Sequence, residues 1–235
     1  MIKNEMTFNG VDFGTQYHAY IATSNFLDGA SKDIESIKVL GRSGNLQIDN
    51  HRFNNITLKV TLYITENMQA NMNALRNYLA SCVGYKVYTE SLTPNEYRMA
   101  SFKQAFAPEV YDTVGGTVEL EFDCMPQRWL TAGQAFTTYT ADGTITNNTL
   151  FNAKPLLRVY GSGQFGIGAE TLTLSQAGQA YVDIDCESMN AYEGSTNMNQ
   201  YLTVTDFPVL APGSNGVTLG AGITKIEIMP RWYLI

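Results

Sequence analysis

Few residues in this chain have both the types and the spacing that catalytic chemistry requires. His18 and His51 are the only histidines, and they do not stand in the H-E-x-x-H spacing that offers two zinc ligands from one helix. The G-x-S-x-G pattern that presents a nucleophilic serine on a sharp turn is also absent from the sequence. We therefore interpret both histidines as ordinary surface or turn residues.

One glycine-rich segment has the spacing of a dinucleotide-binding loop. Gly161, Gly163 and Gly166 match G-x-G-x-x-G, and Asp183 follows at about the 20-residue distance of that fingerprint. The fingerprint functions only at a helix N-terminus, where free backbone N–H groups hold the pyrophosphate. Because residues 169–185 read as strand, turn and strand, the sequence predicts a glycine-rich turn here and no nucleotide site.

Two carboxylates, Asp183 and Asp185, are two residues apart and so share one face of a strand. With the neighbouring Glu187 they could bind a divalent cation, and as an acid and base pair they could process a glycoside. No further ligand cluster accompanies them, which favours a solvated acidic face. A sugar site would instead need an exposed aromatic platform, for which four residues are candidates by type: Tyr160, Tyr181, Tyr192 and Tyr201. The overall prediction is a protein without catalytic residues, metal ion or cofactor.

The composition argues against several other classes of protein. Only 16% of the 235 residues are charged, the formal net charge is −7, and no basic run occurs, so sequence-specific binding of nucleic acid is not expected. The three cysteines, Cys82, Cys124 and Cys186, fit neither a disulfide framework nor a zinc site. Since no apolar stretch of ~18 residues and no signal peptide is found, we expect a soluble protein made in a reducing cytoplasm.

Alternation of apolar and polar residues predicts that most of the chain forms β-strands. The clearest runs are residues 56–64 and 117–124, with shorter runs at 156–160, 170–174, 180–186 and 223–229.

The sequence predicts a single helix, at residues 66–82. The apolar side chains there recur at spacings of four and three: Met68, Met72, Leu75, Leu79 and Cys82. We expect Thr65 to be the N-cap, Gly84 to follow the end of the helix, and the helix to cover one sheet.

The amino-acid composition changes between residues 133 and 152, where Asp142 is the one charged residue among many Thr, Gly and Asn. Beyond this segment, turn signals recur about every 8–12 residues, as in a small β-sandwich. We therefore predict three parts: an N-terminal β domain with a helix at residues 1–133, a linker at 134–151, and a C-terminal β-sandwich at 152–235.

A similar short sequence, an Arg-Trp dipeptide after a proline, follows the last strand of each predicted domain. The dipeptides Arg128-Trp129 and Arg231-Trp232 contain the only two Trp, and each comes shortly after a proline. Proline cannot continue a β-ladder, and Trp is the best aromatic partner for a cation. We predict that each strand ends at its proline and that these four residues form a structural motif in which Arg and Trp stack locally.

The C-terminal residues 231–235 are strongly apolar, so leaving them in water would be unfavourable. We expect residues 229–235 to pack back on the junction near Arg128 and Trp129. The alternative is that they complete the core of the second sandwich.

Several short sequence motifs together resemble the distal tail protein family of long-tailed siphophages, the Dit-like phage tail components. The resemblance depends on the order and spacing of these motifs more than on any one of them. They cover almost the whole chain: FNG (8–10), FG (13–14), GRSG (41–44), CMPQRW (124–129), PLLRVYGSG (155–163), IDCE (184–187), AY (191–192), FPVLAPGSN (207–215) and PRWY (230–233).

The resemblance implies a fold and a role. The first part would be a β-sandwich with a helix that assembles into a six-membered ring, and the second a small galectin-like or carbohydrate-module-like β-sandwich. The ring would join the tail tube to the tail-tip or baseplate proteins and pass the genome. Such a protein belongs to the virion, in the phage tail, is assembled in the cytoplasm of the bacterial host, and needs neither a cofactor nor membrane insertion. Some relatives carry an inserted carbohydrate-binding module, for which 235 residues leave no room.

Two rival functions come from other classes of protein. One is a carbohydrate-binding or adhesin module that recognises a cell-surface glycan, and the other is a glycoside-processing enzyme that uses Asp183 and Asp185. Oligomeric state separates them from a tail hub, because the hub should form a ring whereas a lectin or an enzyme has no need to.

Overall fold

The computed structural model describes residues 4–110, 115–175, 178 and 180–235. Strands account for 54% of the structure and helices for 12%, so the predicted mainly β fold is confirmed. Two compact units are present, Met1–Arg128 with Ile235, and Trp129–Leu234. The division at Arg128 precedes the segment that the sequence analysis interprets as a linker.

The first unit contains a sheet with strand order β2-β1-β7-β8-β10-β6-β3, in which β9 also pairs with β10. A bridge between Asn4 and Ile21 brings the N-terminal segment beside β3 at the far end of the sheet. A separate two-stranded hairpin is formed by β4 and β5. The strands are β1 (Met6–Phe8), β2 (Val11–Asp12), β3 (Ala19–Ser24), β4 (Lys32–Lys38), β5 (Asn45–Phe53), β6 (Ile56–Ile64), β7 (Lys86–Glu90), β8 (Glu96–Phe102), β9 (Pro108–Val110) and β10 (Gly116–Leu130).

The core of the first unit follows the alternation in the sequence. Strands β6 and β10 pair antiparallel over nine positions, from Ile56 opposite Cys124 to Ile64 opposite Gly116. Every second residue is buried over 58–64 of β6 and 116–124 of β10, and the residues between them are half-buried or exposed. The prediction of half-buried strands at residues 56–64 and 117–124 is therefore confirmed.

Strand β10 continues through Pro126, so the prediction that it ends at its proline is wrong. Its ladder with β6 stops at Cys124. Pro126 therefore removes no hydrogen bond from that ladder, and its carbonyl accepts one from Arg98 Nη1 at 3.4 Å.

The predicted helix is present as α2 (Met68–Ser81), which buries Met68, Met72, Leu75 and Leu79 against the strands. The prediction that Thr65 is its N-cap is wrong. Asn67, in a left-handed conformation at φ 43°, precedes the helix without a side-chain cap. The Thr65 hydroxyl instead donates to the His18 carbonyl at 3.4 Å. A second helix, α1 (Phe13–Tyr17), is not predicted; Asp12 caps it by accepting from the Thr15 N–H at 2.8 Å.

The second unit is a sandwich of two sheets, with orders β11-β21-β13-β16-β17-β18 and β12-β20-β14-β15-β19. It also contains two short 3-10 helices, Thr131–Gln134 and Asn199–Tyr201. The strands are β11 (Thr137–Tyr139), β12 (Gly143–Asn147), β13 (Leu156–Gly161), β14 (Gly163–Ile167), β15 (Glu170–Leu174), β16 (Val182–Asp185), β17 (Asn190–Glu193), β18 (Thr196–Asn197), β19 (Leu202–Thr203), β20 (Gly213–Leu219), β21 (Ile223–Met229) and β22 (Tyr233–Leu234).

Residues 134–151 differ from the predicted linker because they contribute β11 and β12 to the two sheets. Polar side chains fix this segment. The buried Asn147 amide donates to the carbonyls of Phe151 and Leu210 at 2.9 Å each, and Asp142 accepts from the Leu219 N–H at 2.8 Å. A Thr- and Asn-rich stretch can therefore be ordered by side-chain hydrogen bonds that composition does not reveal.

The glycine-rich segment lies between β13 and β14, as a turn between strands and not at the start of a helix. Gly161 has φ 97°, and a Cβ atom placed there would lie 2.1 Å from the Gly222 carbonyl oxygen. The spacing therefore reflects a close crossing of two backbone segments.

Replacing Gly161 by alanine should destabilise the second unit by about 2–4 kcal/mol, because the new methyl group collides with backbone and the conformation favours glycine. Denaturant unfolding measures the loss. The control is Gly216→Ala, where a Cβ atom meets nothing within 4 Å. Equal losses in the two variants would contradict the crossing.

Candidate functional site

The arginines of the predicted structural motif pair with carboxylates instead of stacking on the neighbouring Trp. Arg128 Nη1 lies 3.1 Å from Glu96 Oε2, and Arg231 donates two hydrogen bonds to Asp185 at 2.7 and 3.1 Å. Within the described residues neither arginine stacks on a Trp ring. A charge-assisted pair with a nearby carboxylate is stronger than a cation–π contact at a partly exposed site, which accounts for the difference.

Trp232 packs against the core of the second sandwich. The Leu130 N–H donates to the Trp232 carbonyl at 2.9 Å. A Cβ atom on Gly133 would lie 2.3 Å from the Trp232 nitrogen, so this approach requires glycine. The next residue, Tyr233, contacts the ring of Trp129 with centroids 5.5 Å apart. The C-terminal segment thus contacts Trp129 and the core of the second sandwich.

Asp183 and Asp185 each have an arginine partner. Arg158 donates to both oxygens of Asp183, at 2.7 and 2.9 Å, as Arg231 does to Asp185. Within the described residues no group of three or more His, Cys, Asp or Glu side chains could hold a metal ion. The Arg158 pair links the neighbouring strands β13 and β16, and the Arg231 pair links β16 to the segment after β21. Both carboxylates are engaged by a cation.

Acidification should remove the contribution that the ion pair of Asp185 with Arg231 makes to the stability of the fold. Burial alone would raise the pKa of Asp185, but hydrogen bonds from Arg231 and from the Glu187 and Ser188 N–H groups lower it overall. A folded-state pKa below the unfolded one gives stability that is present above ~pH 4 and is lost as pH falls through the folded value. Amide hydrogen exchange in β16 should therefore be slower in the native chain than in Asp185→Asn at neutral pH, and the difference should shrink as pH falls below ~4. A difference that does not change with pH would contradict this role.

Three of the four tyrosines considered for a sugar platform are engaged by cations or by the core. The Arg158 guanidinium lies 4.3 Å from the Tyr181 ring centroid, and the Lys225 amine lies 3.8 Å from that of Tyr160. Tyr201 packs against the second core, and Tyr192 is half-buried. One face of each of the two stacked rings is thus unavailable to a sugar.

The histidines have backbone roles on separate elements. His18, at φ 50°, is the C-cap of α1, and its N–H donates to the Phe13 carbonyl. His51, at φ 54°, lies in β5, and its N–H donates to Asp49 Oδ1 at 2.8 Å. They do not form a common site.

The hairpin of β4 and β5 is a structural feature that the sequence does not predict. Its strands pair from Lys32 opposite Phe53 to Lys38 opposite Asn45, with one irregularity between Lys32 and Ile34. Except for Asp33 and Phe53, which are half-buried, every residue of both strands is exposed. Within the described residues, the hairpin therefore forms a two-stranded arm that no other layer of the unit covers.

One face of this arm carries three apolar side chains, with Glu35 opposite the last of them. Ile37 lies opposite Leu46, and Ile48, two residues along β5, shares their face. These side chains are 38%, 43% and 41% exposed, respectively. We call Ile37, Leu46 and Ile48 the arm stripe.

The arm tip, residues 39–44, connects the two strands. Leu40 is fully exposed at 102%, and Arg42 is exposed nearby. Within the described residues no side chain pairs with the Arg42 guanidinium. The tip therefore presents two apolar side chains, Val39 and Leu40, and the cationic Arg42 to solvent.

Comparison with known proteins identifies the fold. No family model matches the sequence, and no curated protein matches it. Seven chains of solved structures match. One of them is SPP1 Dit, described as a paradigm of the hub adsorption apparatus in phages that infect Gram-positive bacteria, with a TM-score of 0.74 and 14% identity over 99% of each chain. The chain has the fold of SPP1 Dit.

The shared Dit fold confirms the resemblance that the sequence motifs indicate. It extends over both units, which agrees with the order of the motifs along the chain. In the described part of the Dit-like chain, no helix is long and apolar enough to cross a membrane.

Proposed function

We propose that the chain is a structural hub protein of a phage tail, forming a ring that connects the tail tube to the tail tip or baseplate and passes the genome. The observation that carries the proposal is an exposed hairpin arm on a Dit-like fold. The role requires no catalytic residue, metal or cofactor.

The arm supports self-association because a two-stranded hairpin is only marginally stable in water and needs a further layer against an apolar face. The arm stripe offers such a face. Two ion pairs within the arm, Lys32 with Asp49 at 3.8 Å and Arg52 with Asp33 at 2.5 Å, reduce its free charge. A surface of this kind fits a second copy of this chain. Because the chain has few charged residues, its surface is easily desolvated.

Arm docking favours a closed ring. The arm is one surface and its receptor on the neighbouring copy is another, so the contact is head-to-tail, and head-to-tail contacts either close into rings or extend as filaments. The distal tail protein resemblance implies closure with six chains. Neighbours in the tail would be the tail tube protein on one side and tail-tip or baseplate proteins on the other.

The acidic balance of the chain supports passage of the genome. Each chain carries a formal net charge of −7. A ring of such chains repels the DNA backbone by its overall field and so reduces adhesion during ejection.

Labelling of virions tests the assignment to the tail. Antibodies raised against the full chain should decorate phage particles at the end of the tail tube, where it meets the tip. Labelling of the head or along the tail shaft, or particles that carry no label, would contradict the proposed function.

A further inference from the structure

A cavity of about 470 Å³ opens in the first unit between the edge of β3 and the end of β7. Two exposed leucines on its lining, Leu27 and Leu92, are 63% and 71% exposed. No lysine or arginine lines it within the described residues. The polar lining residues are Asn4, Ser24, Asn25, Asp28, Glu90 and Thr93.

Glu90 is the buried carboxylate of this cavity, and within the described residues it has no matching charge. Its side chain is 4% exposed. Oε1 accepts from the hydroxyls of Ser24 and Tyr88, the latter at 2.8 Å, whereas Oε2 accepts only a long bond of 3.5 Å from the Asn4 amide. Within the described residues no lysine or arginine pairs with it. A buried carboxylate held by neutral donors alone is costly, and Oε2 retains the capacity to accept from a cation.

A second buried polar atom lines the same cavity. The Thr93 hydroxyl has no hydrogen-bond partner within the described residues. It is buried and can accept or donate one bond. The cavity therefore offers acceptors to an incoming polar group.

The arm tip has the complementary chemistry. Arg42 offers a guanidinium, whose planar fork matches a carboxylate. Leu40 is an exposed apolar side chain that leucines at the cavity mouth could cover.

The tip of a given chain does not reach its own cavity. Asp28 lines the cavity and lies four residues before β4 begins. The seven residues of β4 then carry the chain roughly 23 Å along the arm to the tip. An extended arm thus places its tip far from its own base, and a cavity at that base is open to the tip of another chain.

We propose that the arm tip of one copy docks into the Glu90 cavity of the next, with Arg42 paired to Glu90 and Leu40 packed between Leu27 and Leu92. The inference rests on the proposed function and deepens it by naming the receptor of the arm. Each chain then gives one tip and receives one, which is the head-to-tail contact that a ring requires.

A double-mutant cycle on the full chain tests the pair. The variants are Arg42→Ala, Glu90→Gln and the double variant, and the readout is the self-association constant from sedimentation. Glu90→Gln keeps an acceptor for the Ser24 and Tyr88 hydroxyls, so it preserves the fold. Arg42→Ala should weaken self-association at least ~ten-fold in the native background and less than ~three-fold in the Glu90→Gln background.

Arg52→Ala is the matched control, because Arg52 lies on the same arm and pairs with Asp33 away from the tip. Its effect should be equal in both backgrounds. If the chain self-associates and the effect of Arg42→Ala is the same in both backgrounds, the docking site is wrong while the hub function stands. If the native chain stays monomeric at all concentrations, the docking contact is also wrong, and virion labelling decides the hub function separately.

Discussion

Replacing Ile37 and Leu46 together by threonine should weaken self-association by about ten- to a hundred-fold and leave the unfolding of the chain unchanged. The two side chains face each other across the arm and are 38% and 43% exposed. Covering what remains exposed is worth about half of the ~1.5–3 kcal/mol for complete burial of each side chain. The pair together therefore gives about 1.5–3 kcal/mol, which is about ten- to a hundred-fold in association.

The matched control is Ile34→Thr. Ile34 lies on the same arm and is 42% exposed, but it stands opposite Asp49 on the other face. The control should weaken association much less than the double variant. Equal losses from both would show that the arm stripe is not the docking face, and a double variant that unfolds would show that the arm is part of the core.

The second large effect concerns Arg98, which is fully buried. Its guanidinium donates to the carbonyls of Phe26 at 3.0 and 2.8 Å and of Asp28 at 2.6 Å. It also lies over the Phe26 ring, 5.4 Å from the centroid. Burial lowers the pKa of Arg98. The side chain thus fixes the loop after β3, which forms one wall of the Glu90 cavity.

Arg98→Met should destabilise the first unit by about 3 kcal/mol or more, because it keeps the apolar stem and leaves several buried carbonyls without a donor. Arg98→Lys should recover only part of the loss, since an ammonium lacks the fork that reaches two carbonyls at once. Arg76→Met, on the exposed surface of α2, is the control and should cost less than about 0.5 kcal/mol. Urea unfolding measures all three, and a loss for Arg98→Met no greater than for Arg76→Met would contradict the role of Arg98.

The regular elements were predictable because burial imposes a period on the sequence. Strand β6 and helix α2 each bury one face, so their apolar residues recur at two and at about 3.6 residues. The cap of α2 was not predictable, since the choice between Thr65 and Asn67 depends on a contact with His18 that is distant in sequence.

The arm escaped prediction for a related reason. Both of its faces are exposed, so burial imposes no strict alternation, and the irregularity near Ile34 shifts the register further. The burial of Glu90 and Arg98 could not be predicted either, because a single charged residue in a strand is usually a surface residue. Their burial follows from which strands meet, which the sequence of one strand does not specify.

The acidic pair was predictable by position but not by role. Alternation placed Asp183 and Asp185 on one strand face correctly. The arginines that engage them, Arg158 and Arg231, come from segments 25 and 46 residues away. Only the fold brings these charges together.

The mass of the full chain in solution tests the central claim most directly. Light scattering over a range of concentrations should show one assembly of fixed mass, about 156 kDa for six chains of 26.0 kDa. The mass should stay constant once the ring is formed, because a closed ring has no free arm. A mass of 26.0 kDa at every concentration, or one that keeps rising as in an open filament, would contradict a ring closed by the arm.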